Sequence, residues 1–282
     1  MIRSLVSMMR VIDRRVIYCF MALIVPFYML FSHKGYLASY RFYRLRMGYG
    51  PVKAFLNVYG NHFRFGQVII DRYAAFAGKR FNFTVDGNEL FTDLSSRPGG
   101  FVQLSSHVGN FEMTGYGLDS TAKHVNGLAF AGESKVMMEF RSRILAEHNV
   151  GLIVAGEGGM EHIFQMNSAI DRGEIVSMTG DRLFGSQKSV TCDFMGSGAR
   201  FPMGPFVLAA QKEVPLLALF AMRERGGSYR VICRKVDSDV QTLSVRAKAE
   251  SLARAFAREL ESVVREYPLQ WFNWYDFWKQ GA

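Results

Sequence analysis

The chain has 282 residues, 49% of them hydrophobic and 21% charged, a globular balance that excludes wholesale disorder and is sufficient for a sizeable core. Lys and Arg outnumber Asp and Glu by 34 to 25, a formal charge of +9, so an acidic partner such as an anionic lipid or an acidic carrier protein is favoured. Nucleic acid is set aside because the sequence has no zinc-finger spacing, RNP-like motif or arginine-rich tract, and the three scattered cysteines, Cys19, Cys192 and Cys233, form no disulfide framework.

From Val16 to Phe31 the chain runs 16 residues without a charge, between Arg10, Arg14 and Arg15 on one side and Lys34, Arg41, Arg44 and Arg46 on the other. A bilayer-spanning helix needs about 20 apolar residues, and Pro26 interrupts this one, so the segment either spans or embeds. No small-residue cleavage site follows it, which favours a permanent anchor over a signal peptide; a buried core helix is the alternative reading. The next stretch, YLASYRFYRLRMGYG, interleaves aromatics with arginines, a pattern that suits the headgroup zone and equally a solvated amphipathic helix. No linker or repeat divides the rest. The expected organisation is an anchor and interfacial segment over 1–50 and one domain over 51–282.

Helical spacing predicts a helix from Asn57 to Gly78, and FNFTVDG alternates into an Asp-Gly turn. Short apolar runs follow: Phe101 to Leu104, Gly127 to Phe130, Gly151 to Ala155, Glu174 to Met178 and Pro215 to Met222. Most are separated by stretches long enough for a helix. That rhythm predicts an α/β fold, a mixed and mainly parallel sheet flanked by helices. Leu252, Phe256, Leu260, Val263 and Tyr267 mark an amphipathic helix stopped by Pro268. All three tryptophans lie in the tail, Trp271 to Trp278, and either pack back onto the core or sit at a lipid interface.

The segment FVQLSSHVGNFEMTGYG, Phe101 to Gly117, reads as a strand, a sharp turn at Gly109 and Asn110, and the start of a helix. It puts His107 at a strand's carboxyl end and Glu112 one turn into the helix, where sites in α/β sheets gather. An imidazole held in one tautomer by a carboxylate is a proton acceptor for an alcohol. As a bare pair at this spacing the signal is weak. The flanking residues strengthen it: SSHVGNFE closely resembles the H-x-G-N-[WF]-E block of the lipid A late acyltransferase family, the lauroyl and myristoyl transferases, within the glycerophosphate and lysophospholipid acyltransferase superfamily. Phe111 stands where tryptophan is usual.

The resemblance continues through GEIVSMTGDRLFG, with Asp181-Arg182 in place of the usual Asp-Gln, through CDFMGSGARFPMGPFVLAAQKEVPLLALF, and through Pro268, Gln270 and Trp271. It covers most of residues 16 to 278. It implies an acyltransferase domain that takes an acyl group from a thioester donor, acyl carrier protein or acyl-CoA, and passes it to a hydroxyl or amine of a lipid or glycolipid acceptor. The place implied is the cytoplasmic face of the bacterial inner membrane. His107 is the expected general base and Glu112 its orienting partner. Backbone N–H groups near Gly109 and Asn110, or a nearby cation, are expected to face the oxyanion.

Arg182, beside Asp181 at a strand end, is read as a phosphate ligand or as half of a structural ion pair. Arg143 lies where the resembled family places a functional arginine, although MEFRSRILAEH also reads as a helix with a solvated basic face. No metal or cofactor is expected: His62, His124, His148 and His162 have no partner at ligand spacing. Cys192 has no base beside it to make a nucleophile. The competing functions are an acyl-CoA-dependent lysophospholipid acyltransferase, which the missing FPEGTRS-like block disfavours, and an inactive lipid-binding protein.

Overall fold

The structure is a computed structural model that describes residues 6, 9, 12–118, 122–130, 142, 145–156, 159–183, 188–241 and 244–279. Arg143 lies outside the described residues. The apolar segment forms helix α1 (Arg14–Phe31), with the side chain of Asp13 capping its first turn through the Arg15 N–H. A short helix α2 (His33–Arg41) and a π-helical turn lead to α3 (Pro51–Phe76). Helices α1 and α3 pack antiparallel: Tyr18 meets Asp71 near one end of the pair, and Tyr59 donates to the Ala22 carbonyl at 3.1 Å further along.

Only Tyr18, Val25 and Met29 of α1 are buried. Phe20, Leu23, Ile24, Phe27, Leu30 and Phe31 stand exposed, and Val52, Phe55 and Leu56 of α3 extend the apolar surface at the Phe31 end. A contiguous apolar face of this kind marks a membrane or partner surface, and the core-helix alternative does not describe it. By length and composition α1 suffices to cross a membrane.

Seven strands make the main sheet: β1 (Phe83–Asp86), β2 (Phe101–Ser105), β3 (Val125–Phe130), β4 (Val150–Ala155), β5 (Ile175–Thr179), β8 (Leu216–Arg223) and β9 (Tyr229–Lys235), in the order β1-β9-β8-β2-β5-β3-β4. Every neighbouring pair is parallel except β8 with β9. A separate hairpin, β6 (Ser189–Phe194) and β7 (Ser197–Pro202), turns at Met195 and Gly196, both with positive φ. The hairpin and β9 are additions to the strands read from the sequence.

The apolar runs of β2 and β5 are buried on both faces, as parallel strands require. On one face Val102, Leu104, Val176 and Met178 join a core with α7 (Gly204–Lys212) and the Leu252, Phe256 and Leu260 stripe of α8 (Val245–Glu266). On the other face Phe101, Ile175, Leu217 and Leu219 pack with Phe91 of α4 (Asn88–Ser96) and with Met113 and Leu118. Phe256 sits among Phe201, Phe206 and Phe220; burying a side chain of that size stabilises by about 1.5–3 kcal/mol. The tail packs back: Trp271 lies against Phe42, Phe194, Phe277 and Trp278, and Trp274 stacks on His62 and donates to Asn61. Only a 3-10 turn (Phe111–Met113) and the four-residue α5 (Thr114–Gly117) stand where the sequence predicts a helix opening, since two glycines in that stretch weaken it. Helix α6 (Glu161–Asp171) crosses from β4 to β5.

Candidate active site

Strands β2, β5 and β8 are adjacent and parallel at the centre of the sheet, so their carboxyl ends open on one edge. The loop after β2 carries His107. Its turn needs glycine at position 109, where φ is +64° and a Cβ would stand 2.2 Å from the Ala221 carbonyl oxygen. Gly109 N–H donates to the Gln270 carbonyl and Asn110 N–H to the Ala221 carbonyl, each at 2.8 Å, while Phe272 N–H donates to the His107 carbonyl. The loop is thereby clamped between β8 and the tail.

Asp181 follows β5 and is fully buried. Its Oδ2 accepts the His107 backbone N–H at 2.9 Å and its Oδ1 meets His107 Nδ1 at 2.8 Å. Burial alone would push its carboxyl upward, but the charge that His107 carries when protonated, the two hydrogen bonds from His107 and the charge of Arg182 outweigh that and hold it below the usual carboxylate range. An ionised carboxylate only accepts, so Nδ1 carries the hydrogen by chemical assignment and Nε2 keeps a lone pair. Nε2 has no hydrogen-bond partner among the described residues. The His107 side chain is 19% exposed.

The carboxylate found on His107 Nδ1 is that of Asp181, 74 residues on, and not that of Glu112, which accepts from Arg72 of α3 at 3.1 Å. The N–H groups of Gly109 and Asn110, expected to face an oxyanion, are spent on protein carbonyls. The Asn110 side chain is buried too, and donates to the Val68 carbonyl and the Tyr229 hydroxyl, each at 3.3 Å.

A cavity of about 120 Å³ is lined by Ser105, Phe111 and Glu112 and by residues of β5, β3 and β4. Its lining also includes Phe91, Leu128 and Leu152, and Gln103 and Ser177, which meet at 3.2 Å.

The sequence profile of the bacterial lipid A biosynthesis acyltransferase family matches residues 70–280. The chain belongs to this family. Among solved structures, it is similar to the 1-acyl-sn-glycerophosphate (LPA) acyltransferase PlsC from Thermotoga maritima, with 11% identity and a TM-score of 0.38 over 92% of this chain and 99% of that one. Among curated proteins, none matches it in sequence. As a lipid A biosynthesis acyltransferase the chain is a transferase of lipid biosynthesis, with a lipid acceptor and an acyl donor.

In this acyltransferase Arg182 is committed to the tail. Its Nε donates to Asn273 Oδ1 at 3.1 Å and its Nη2 to the Phe272 carbonyl at 2.8 Å. The guanidinium fork therefore serves the clamp behind His107 rather than an open phosphate site, and no Asp181–Arg182 ion pair forms. Cys192 is buried, and burial pushes its thiol up to about 11, in line with a structural role.

A polar network stands beside the loop that the sequence reading missed. Asp71, fully buried on α3, is bound by Arg223 Nε at 2.7 Å, by Tyr229 hydroxyl at 2.8 Å and by the Tyr18 hydroxyl of α1. In the sequence Asp71 sits in an ordinary helical pattern, and only its place on the α1-facing side of α3 distinguishes it.

Proposed function

We propose that the chain moves a fatty acyl group from the thioester of acyl carrier protein to a hydroxyl or amine of a lipid or glycolipid acceptor, at the cytoplasmic face of the bacterial inner membrane. The observation that carries this reading is the bond from His107 Nδ1 to a buried, ionised Asp181, which leaves Nε2 as an unpartnered base. Nε2 takes the acceptor proton as the oxygen or nitrogen attacks the thioester carbonyl. The tetrahedral intermediate then expels the thiolate, and the imidazolium returns its proton to give the free thiol. No covalent enzyme intermediate is needed.

Asp181 holds the ring in the reactive tautomer and stabilises the imidazolium. Glu112 lines the cavity and holds Arg72, a cation that supports the developing oxyanion in this reading. The apolar walls suit an acyl chain, and the exposed face of α1 and α3 suits insertion among lipids. The +9 charge fits an acidic carrier as donor.

The test is thiol release by the full chain in detergent, with acyl carrier protein thioester and acyl-CoA supplied separately with extracted bacterial lipids. The reading expects the carrier thioester to react at least tenfold faster. Equal or faster reaction of acyl-CoA would assign the donor to CoA instead.

A further inference from the structure

Four arginines converge where the start of α1 meets the end of β8. Arg14 opens α1, Arg64 lies on α3, Arg223 closes β8 and Arg225 stands in the turn that follows. Arg14 Nη2 and Arg223 Nη2 approach within 3.1 and 3.2 Å of the point where a Cβ on Gly227 would sit, a position with φ of +89° that only glycine fills without strain.

Two carboxylates face them, and both are occupied. Asp71 accepts from Arg223 and two tyrosine hydroxyls, and Arg14 Nη1 stands 3.6 Å away. Glu224 accepts from Tyr267. Arg64 Nη1 donates to the neutral Gln67 side chain at 2.9 Å. Among the described residues neither Arg64 nor Arg225 has a carboxylate partner, and Arg14 Nη1 is buried without a hydrogen bond. Arg64 is half-buried; its pKa is lowered by burial first and then by the charges of Arg223 and Arg225, which the Glu224 carboxylate only partly offsets.

The cluster therefore holds an excess of about two positive charges, with Arg64 half-buried and Arg225 exposed beside it. A buried or half-buried cation without a counter-charge is costly, so an anion is wanted. Guanidinium forks match the terminal oxygens of a phosphate, and a phosphomonoester supplies nearly two charges near neutral pH. A carboxylate or a phosphodiester supplies one.

The cluster is also tied to the His107 loop. Asn110 Nδ2 donates to the Tyr229 hydroxyl, which donates to Asp71. The backbone of Arg223 exchanges two hydrogen bonds with the Gln270 side chain, and the Gln270 carbonyl accepts from Gly109. It lies at the start of the apolar helix α1, at the end opposite Phe31.

We propose that Arg14, Arg64, Arg223 and Arg225 form a phosphomonoester site that seats the headgroup of the lipid acceptor beside His107. The word acceptor rests on the acyl-transfer reading; the anion site itself does not. Arg14 and Arg223, already braced on Asp71, form its floor. Arg64, held only by the neutral Gln67 side chain, and Arg225 are the arms that close on the phosphate.

The test is equilibrium binding to the full chain in neutral detergent, with phosphatidic acid as the lipid phosphomonoester, phosphatidylglycerol as the diester, and inorganic phosphate as competitor. The wild-type chain should bind phosphatidic acid at least tenfold tighter than phosphatidylglycerol. The variant Arg64→Gln/Arg225→Gln should lose roughly tenfold or more, as expected for two charge-assisted hydrogen bonds. Arg225→Gln alone changes an exposed side chain and repeats the comparison if the double variant does not fold.

Equal affinity for the two lipids, or unchanged affinity in the folded variants, overturns the site. Displacement of the lipid by an equal concentration of inorganic phosphate overturns the headgroup assignment in favour of the free anion. Because the readout is binding, a chain that shows this preference but transfers no acyl group would refute only the transferase reading.

Discussion

Asp181→Asn separates the two carboxylates that compete for the role of His107's partner. The substitution keeps size and leaves one oxygen to accept the His107 backbone N–H, now made at 2.9 Å. The amide NH₂ then faces Nδ1, which stands 2.8 Å from the present Oδ1. A donor cannot accept from Nδ1–H, so the ring must present its lone pair at Nδ1 and carry its hydrogen on Nε2, the wrong tautomer for a base. The imidazolium formed during transfer also loses its counter-charge. For charges about 4 Å apart at an effective dielectric near 20, that attraction is about 4 kcal/mol, or roughly 10³-fold in rate. Turnover measured by thiol release with the carrier thioester should fall by 10² to 10⁴-fold with KM little changed. His107→Ala/Asp181→Asn should be no worse than His107→Ala, since the two act as a unit. Near wild-type turnover in a folded Asp181→Asn chain, together with a severe loss in Glu112→Gln, would refute this reasoning and return the role to Glu112.

Glu112 should instead couple to Arg72: in a double-mutant cycle on kcat/KM with Glu112→Gln and Arg72→Gln, the coupling should be about 0.5–3 kcal/mol, and additive losses would remove the pair from the site. Gly109→Ala forces a Cβ to 2.2 Å from the Ala221 carbonyl at φ of +64°, so it should destabilise by more than about 2 kcal/mol, lowering Tm by roughly 4–8 °C in thermal unfolding. The depressed carboxyl of Asp181 contributes stability above the ordinary carboxylate range that is lost as pH falls through its lower folded-state value. The Tm advantage of wild type over Asp181→Asn should therefore shrink on acidification below that range, and a constant difference would contradict the assignment. Polar replacement of Phe20, Leu23, Phe27 and Phe31 on the exposed face of α1 removes about 1.5–3 kcal/mol of lipid burial per side chain. It should shift the chain from the membrane pellet to the soluble fraction, and an unchanged distribution would count against membrane attachment through α1.

The strands that frame the site were legible because their apolar runs are continuous. PLLALFAM became β8 and EIVSM became β5, each within a residue or two of the run. The β6–β7 hairpin hid inside SVTCDFMGSGARFP because its turn is Met-Gly rather than Asn-Gly. His107, Asp181 and Arg182 were recognisable as site candidates, yet their mutual arrangement was not. Glu112 looked like the natural partner because it is near in sequence, whereas Asp181 reaches His107 only because β5 pairs with β2. The N–H groups of Gly109 and Asn110 looked free until β8 and the tail supplied their acceptors. Asp71 carried no signal at all: an acid in a helical pattern looks solvated unless the helix covering it is known, and here α1 covers it.

The central claim is that His107 transfers the acceptor's proton during acyl transfer from a thioester to a lipid. Its most direct test is a single reaction of the full chain with labelled acyl carrier protein thioester and extracted lipid, reading free thiol and acylated lipid by mass spectrometry in wild type and His107→Ala. The account expects thiol and acylated lipid in equal amounts from the wild-type chain, and both reduced 10² to 10⁴-fold in the variant. Thiol released without an acylated lipid, or undiminished product from a folded His107→Ala chain, would contradict it.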